Sequence, residues 1–278
     1  MKSKAFAKIN LSLDINGVDD RGYHTLESVF LPIDFYDIIE IKKSKKMKYS
    51  CNKWYVFFNE KNTIVKAVNY MKDKYNIKDN FQVHLSKIIP TQAGLGGGSA
   101  DAAAVIRILN KMYKLEMSKE EIKQACMFIG SDVLFTYYNK PAYVKSFGED
   151  ISFINVVNKY YVLLVKPAFG ISTKKSYNKL DMNVCAHPNI KKLVSYLKKG
   201  KDINELLGNS LEQSSSTLKP EINKIKKQII EKGGENALMS GSGSCIFSIS
   251  TNKKRIEVLA SSMKKIGYFV RIVKVINK

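Results

Sequence analysis

Four of the five residues from Gly94 to Gly98 are glycine, and they stand between two stretches of different periodicity. Upstream, Phe81, Val83 and Leu85 alternate with polar residues, the period of a half-buried strand. Downstream, Ser99-Ala100-Asp101-Ala102-Ala103-Ala104 opens a helical run that ends near Tyr113. A strand, a glycine turn and a helix start aim backbone N–H groups and the positive end of a helix at one place. Such a place suits an anion, phosphate above all. Glycine belongs there because a side chain blocks close approach and because positive φ is open to it. The stretch is not a Walker loop, since Gly98 is followed by Ser99-Ala100 and not by Lys-Ser/Thr. Nor is it the dinucleotide fingerprint, whose third glycine would fall on Ser99. Taken alone, the same glycines also suit an ordinary turn before a helix, with Ser99 as its N-cap.

Composition narrows the choices. The 278 residues allow one large domain or two ordinary ones, and 45% hydrophobic content supplies a real core. No run of about 18 apolar residues is present, so no membrane helix is expected. The polar start, Met1-Lys2-Ser3-Lys4, does not read as a signal peptide, and the cytoplasm is the expected compartment. Cys51, Cys126, Cys185 and Cys245 are widely spaced, as are His24, His84 and His187, so neither disulfides nor a zinc site is expected. A net charge of +21 raises nucleic-acid binding, but only Arg21, Arg107, Arg255 and Arg271 are arginine. Bidentate reading of bases and phosphates favours arginine, so no nucleic-acid partner is expected.

Along the chain, residues 4–15 alternate as a strand, placing Lys8 and Asn10 on one face. Further strands are expected at 23–30, 37–41, 55–58, 160–166, 245–249 and 268–276. Helices are expected from Asn62 as N-cap, from the Ser118-Lys119-Glu120-Glu121 capping box, and near 189–198, 202–208, 220–232 and 253–265. Asp132, after Gly130-Ser131, reads on its own as an Asx turn or cap. A second glycine cluster, Met239-Ser240-Gly241-Ser242-Gly243-Ser244, leads into a strand. The alternation of elements predicts a mixed α/β or α+β architecture with a domain change near 150–160.

Several of these stretches together resemble the GHMP superfamily of small-molecule kinases, named for galactose, homoserine, mevalonate and phosphomevalonate. Pro90-Thr91-Gln92-Ala93-Gly94-Leu95-Gly96-Gly97-Gly98-Ser99-Ala100 resembles its phosphate loop, and Met239–Ser244 its third motif. Ala7-Lys8-Ile9-Asn10-Leu11, Gly22-Tyr23-His24, Ser99-Ala100-Asp101-Ala102-Ala103 and Gly130-Ser131-Asp132-Val133 are similar to one branch in particular. So are Lys166-Pro167, Gly170-Ile171-Ser172-Thr173, Tyr177 and His187-Pro188-Asn189. That branch phosphorylates the 2-hydroxyl of a cytidine-diphosphate-linked methylerythritol in the non-mevalonate route to isoprenoid precursors. The chain departs from its usual pattern at Gln92, where a small residue is common, at Ser146, commonly glycine, and at Asn209-Ser210, often Asn-Asp.

The resemblance implies an α+β, two-domain fold with mixed sheets and the active site in the cleft between domains. Residues 1–152 would form the N-terminal ATP-binding domain and 153–278 the C-terminal substrate-side domain, leaving open whether the last strand returns to the first. ATP and Mg²⁺ are the implied cofactors. Asn62, Pro90, Gly94, Leu95, Gly96, Gly97, Gly98 and Ser99 would bind the nucleotide, with no metal ligand named beyond Ser99. Asp132 would be the base and Lys8 its orienting, charge-stabilising partner. A carboxylate is a weak base at neutral pH, which a loose transition state tolerates because the nucleophile loses its proton late. Asn10, Tyr23, His24, Thr173, Tyr177, Ser240, Gly241, Ser242 and Gly243 would face the acceptor, with Tyr23 and Tyr177 stacking on cytosine and His24 bonding its edge. A kinase of the same superfamily acting on homoserine, mevalonate or a sugar is one alternative; a silent nucleic-acid binder is another. No membrane partner is implied.

Overall fold

The computed structural model describes residues 1–20, 22 and 24–277. The elements in order are β1 (Lys2–Val18), β2 (His24–Ser44), β3 (Lys48–Cys51), α1 (Thr63–Lys74), β4 (Asn80–Ser86), α2 (Gly97–Tyr113), α3 (Lys119–Ile129) and α4 (Val133–Tyr138). Then come β5 (Ala142–Ser146), β6 (Asp150–Phe153), β7 (Tyr161–Lys166), α5 (Thr173–Asn178), α6 (Ile190–Lys199), α7 (Leu211–Leu218) and α8 (Glu221–Glu231). The chain closes with β8 (Leu238–Met239), β9 (Ile246–Ser250), α9 (Lys253–Lys265) and β10 (Phe269–Lys274).

The chain divides into two compact units. The first holds Met1–Ala7, Phe35–Pro90 and Gly96–Asn139; the second holds Lys8–Asp34, Thr91–Leu95 and Lys140–Lys278. In the first, β4 pairs parallel with β3 and antiparallel with the second half of β2. Helix α1 buries Ile64, Ala67, Val68 and Met71, the stripe expected of an amphipathic helix. Helix α2 buries Ala100 and every residue from Ala102 to Ile106, as suits an alanine-rich helix in a core. In the second unit the first half of β2 pairs with β5, and β5 with β6, all antiparallel. A separate antiparallel sheet runs β10-β7-β9-β8. Its core gathers Leu163, Val165 and Ile246 with Ile222, Ile225 and Ile229 of α8 and Ile256, Leu259 and Met263 of α9.

Parallel and antiparallel pairs occur together, as the mixed-sheet expectation requires. Three local expectations are corrected. The strands expected at 23–30 and 37–41 are one continuous β2 in the described residues from His24 on. Within it Pro32 lacks an N–H to donate, but its carbonyl accepts from Ile276 and its neighbour Ile33 bridges to Val275. Residues 55–58 form no strand; Trp54, Tyr55 and Phe57 are exposed on a loop. Residues 202–208 hold only a single 3-10 turn, Asn204–Leu206.

Candidate active site

In the first unit the glycine stretch becomes the start of α2. Gly96 is the N-cap, at φ 67°, and Gly97, Gly98 and Ser99 are the first three helical residues. Ser99 is therefore not the N-cap; the chain needs a left-handed residue there, which glycine supplies. The first intrahelical bond runs from the Ala100 N–H to the Gly96 carbonyl. The N–H groups before it have no partner within the helix, Gly96 has no side chain to cap them, and the first turn carries no acid. That end of a 17-residue helix is a positive, donor-lined surface. Thr63 holds it from the side, its hydroxyl donating to the Gly98 carbonyl at 2.7 Å.

Asn62 caps α1, accepting from the Ile64 N–H at 2.9 Å and donating to the Phe57 carbonyl at 2.8 Å. Its side chain is thus engaged at both ends within its own loop. Pro90 is half-buried where the first unit's chain leaves for the loop. Asp132 stands at the N-cap position of α4, but its carboxylate makes no capping bond to that helix. The side-chain cap expected of Asp132 is thus not made to α4, while its carbonyl accepts from the Thr136 N–H and hydroxyl. The far end of α4 is held by Arg107, whose guanidinium donates to the carbonyls of Thr136, Tyr137 and Lys4. Burial lowers the Arg107 pKa to about 10. Nothing in the sequence signalled this clamp, because its partners are main-chain carbonyls.

In the second unit a polar cluster forms around the other half of the glycine stretch. Lys8 is buried; its ammonium donates to Asn10 Oδ1 at 2.5 Å and lies 4.7 Å from the centre of the Phe30 ring. Its backbone N–H donates to the Leu95 carbonyl at 3.0 Å. Asn10 Nδ2 reaches Ser28, and the Asn10 N–H donates to the Ser240 hydroxyl. Ser240 in turn donates to the Gly94 carbonyl at 2.9 Å. Gly94 and Gly241 both have positive φ, and a Cβ on Gly241 would stand 3.1 Å from Asn10 Oδ1 and 3.6 Å from Lys8 Nζ. The two glycine clusters predicted from sequence are thus in direct contact, closed by bonds from Ser244 N–H to Gln92 and from Cys245 N–H to Ala93. Asn209 clamps the second cluster, donating to the carbonyls of Met239 and Gly241 at 2.8 Å each. Sequence reading noted Asn209 only as part of a departure from pattern.

The remaining predicted acceptor residues also lie in this unit. Thr173 and Ser242 share a hydrogen bond at 2.9 Å. Gly243 takes φ 83°, and a Cβ there would strike Met239 Sδ at 2.5 Å. His24 and Tyr177 are side by side, ring centres 5.1 Å apart and tilted by 57°. Tyr23, the other aromatic of the prediction, lies outside the described residues.

Comparison with known proteins gives the family and the fold. The GHMP kinases N terminal domain family matches residues 62–140, and the GHMP kinases C terminal family matches residues 186–268. The chain is 39% identical over its whole length to a 4-diphosphocytidyl-2-C-methyl-D-erythritol kinase of Thermoanaerobacter pseudethanolicus, covering 97% of that protein. It is 37% identical over 95% of its length to one from Clostridium botulinum, covering 96% of that protein. Among solved structures, a 4-(cytidine 5'-diphospho)-2C-methyl-D-erythritol kinase shares the fold with a TM-score of 0.83 at 23% identity, over 99% of both chains. A homoserine kinase from Cytophaga hutchinsonii shares it at 0.74, over 98% of this chain and 94% of the other. The chain belongs to the 4-diphosphocytidyl-2-C-methyl-D-erythritol kinase family of GHMP kinases.

Proposed function

We propose that this protein transfers the γ-phosphoryl group of ATP to the 2-hydroxyl of 4-diphosphocytidyl-2-C-methyl-D-erythritol, acting in the cytoplasm on a small molecule. The observation that carries the acceptor assignment is the His24–Tyr177 pair, rings 5.1 Å apart in the same unit as Lys8, Asn10 and Ser240. A flat aromatic beside a ring with hydrogen-bonding nitrogens suits a nucleobase, by stacking and by edge recognition. Homoserine and mevalonate have no base to stack.

The donor phosphates sit on the backbone N–H groups of Gly97, Gly98 and Ser99, approached closely because Gly96, Gly97 and Gly98 carry no side chain. This donor set fits phosphate: it is neutral backbone at a positive helix end. It supplies no cage for a metal, and among the described residues no cluster of three His, Cys, Asp or Glu is arranged for one. Mg²⁺ would enter with the nucleotide; the Ser99 hydroxyl would help to hold it, and the ion would neutralise phosphate charge during transfer. Asp132 accepts the proton of the acceptor hydroxyl. Lys8, fixed by Asn10, supplies positive charge to the transferring group. Ser240 and Gly241 line the acceptor side, Ser242 and Thr173 extend it, and Gly243 keeps the turn tight.

An acceptor panel tests the assignment. With ATP and Mg²⁺, the cytidine-diphosphate-linked acceptor turns over, while homoserine, mevalonate and galactose do not compete with it. Turnover of one of those alcohols in its place overturns the reading.

A further inference from the structure

The first unit buries three charged side chains that the proposed chemistry does not use. Lys87 Nζ lies 2.6 Å from Asp37 Oδ2 and 2.7 Å from Asp101 Oδ2, and each side chain is at most 4% exposed. Asp37 Oδ1 accepts from the Ile88 N–H and, at 2.8 Å, from the Ile89 N–H. Asp101 Oδ1 has no hydrogen-bond partner among the described residues. Two carboxylates share one ammonium, and burial, ahead of the opposing pull of Lys87, raises the Asp101 pKa to about 7.

A buried ion network is a poor way to gain stability, since desolvation offsets most of the attraction. Its location gives it another use. Lys87, Ile88 and Ile89 are the residues by which the chain leaves β4 and approaches the glycine turn; Asp101 is the fifth residue of α2, just after that turn. Gly97 packs against the first of these, where an added Cβ would stand 3.0 Å from Lys87 Nζ and 3.0 Å from Ile89 Cγ2. The network thus ties the entry to the turn and its exit to Asp37 in the middle of β2, and packs against the first helical residue.

We propose that Asp37, Lys87 and Asp101 are positioning residues for the nucleotide: they fix the first turn of α2 from beneath and so set the spacing of its phosphate-binding N–H groups. The proposal rests on the reading that this helix end holds the phosphates of ATP. Misplacing binding groups by about 1 Å is costly even when the substitution touches no ligand.

The test measures ATP and acceptor affinity separately, by calorimetry and by steady-state kinetics, in Asp101→Ala, Asp101→Asn and Lys87→Arg, with a thermal melt of each. Asp101→Ala weakens ATP about tenfold or more while acceptor affinity stays within about twofold. Asp101→Asn, which still accepts from Lys87, recovers most of that loss. Lys87→Arg keeps the charge but not the fit beneath Gly97, and it loses ATP selectively even if Asp101→Ala fails to fold. Equal weakening of both ligands, or unchanged ATP affinity in all three variants, overturns the proposal. Wild-type protein that binds ATP without phosphorylating the acceptor sinks the acceptor reading and leaves this one standing on its affinities. Wild-type protein that binds no ATP sinks both.

Discussion

The Ser240 hydroxyl donates to the Gly94 carbonyl at 2.9 Å, and the two residues are so close that a Cβ on Gly94 would stand 1.8 Å from the Ser240 carbonyl oxygen. One contact therefore locks the start of the first glycine cluster onto the second. Gly94→Ala must push the two apart and adopt φ 73° with a side chain. It is expected to lose stability by about 2 kcal/mol or more, through forced displacement and backbone strain. Ser240→Ala keeps the backbone but strands the half-buried Gly94 carbonyl and the buried Asn10 N–H, at a cost of about 1–3 kcal/mol. Urea unfolding measures both. A wild-type midpoint for Gly94→Ala contradicts the contact.

The acceptor role proposed for the His24–Tyr177 pair is tested by separating acceptor from nucleotide binding. Tyr177→Ala is expected to weaken the acceptor by roughly 1–3 kcal/mol, the worth of one stacked base, with ATP binding unchanged. Parallel titrations with ADP and with cytidine diphosphate read the two effects. Loss of ADP affinity in place of cytidine diphosphate affinity would move Tyr177 to the other side of the reaction.

His187 carries the clearest pH dependence outside the site. Its Nε2 faces the Met182 carbonyl at 3.1 Å and its Nδ1 faces Asp14 at 2.7 Å, so both ring nitrogens meet acceptors. The Met182 carbonyl and then Asp14 raise its pKa above the ordinary 6.5. A raised folded-state pKa gives stability that is complete below the unfolded value and disappears as pH rises through the folded one. Protein NMR titration is expected to place His187 above 6.5, and Asp14→Asn to bring it down. The small fall in melting temperature on passing from about pH 6 to pH 8 should shrink in that variant. An imidazole at or below its ordinary pKa removes this account.

The departures from pattern seen in the sequence have backbone consequences. Ser146 sits at φ 62° and Gln92 at φ 51°, both left-handed, at positions where glycine or a small residue is usual. A residue with a side chain is strained in that conformation. Ser146→Gly is expected to raise stability by about 0.5–1 kcal/mol, the relief of an unfavourable φ less the added chain entropy of glycine. A loss of stability would mean that the Ser146 side chain contributes more than its strain costs. Gln92 is a poorer choice for the same test, because its side chain packs where a Cβ on Gly170 would lie, 2.5 Å from Oε1.

What was legible in the sequence follows from how local the signal is. Helix α9 at Lys253–Lys265, the Ser118 capping box and the Asn62 cap are written in a few adjacent residues, and each stands where it was expected. The two glycine clusters announced turns but not each other: the bond from Ser240 to Gly94 joins residues 146 positions apart. Helices α4, α5 and α7 were missed because six to eight residues carry too little periodicity to register. Lys87, Asp37 and Asp101 are far apart in the chain, and only the fold buries them together. Arg107 and Asn209 act on main-chain carbonyls, which leave no mark in side-chain patterns.

Phosphorus NMR of one reaction mixture tests the central claim most directly. Wild-type protein with ATP, Mg²⁺ and 4-diphosphocytidyl-2-C-methyl-D-erythritol should form one phosphomonoester for each ADP released. Asp132→Asn and Lys8→Met, with unchanged amide spectra, should each lose turnover by about a hundredfold or more. Inorganic phosphate in place of the ester, or either variant turning over like wild type, would contradict the account.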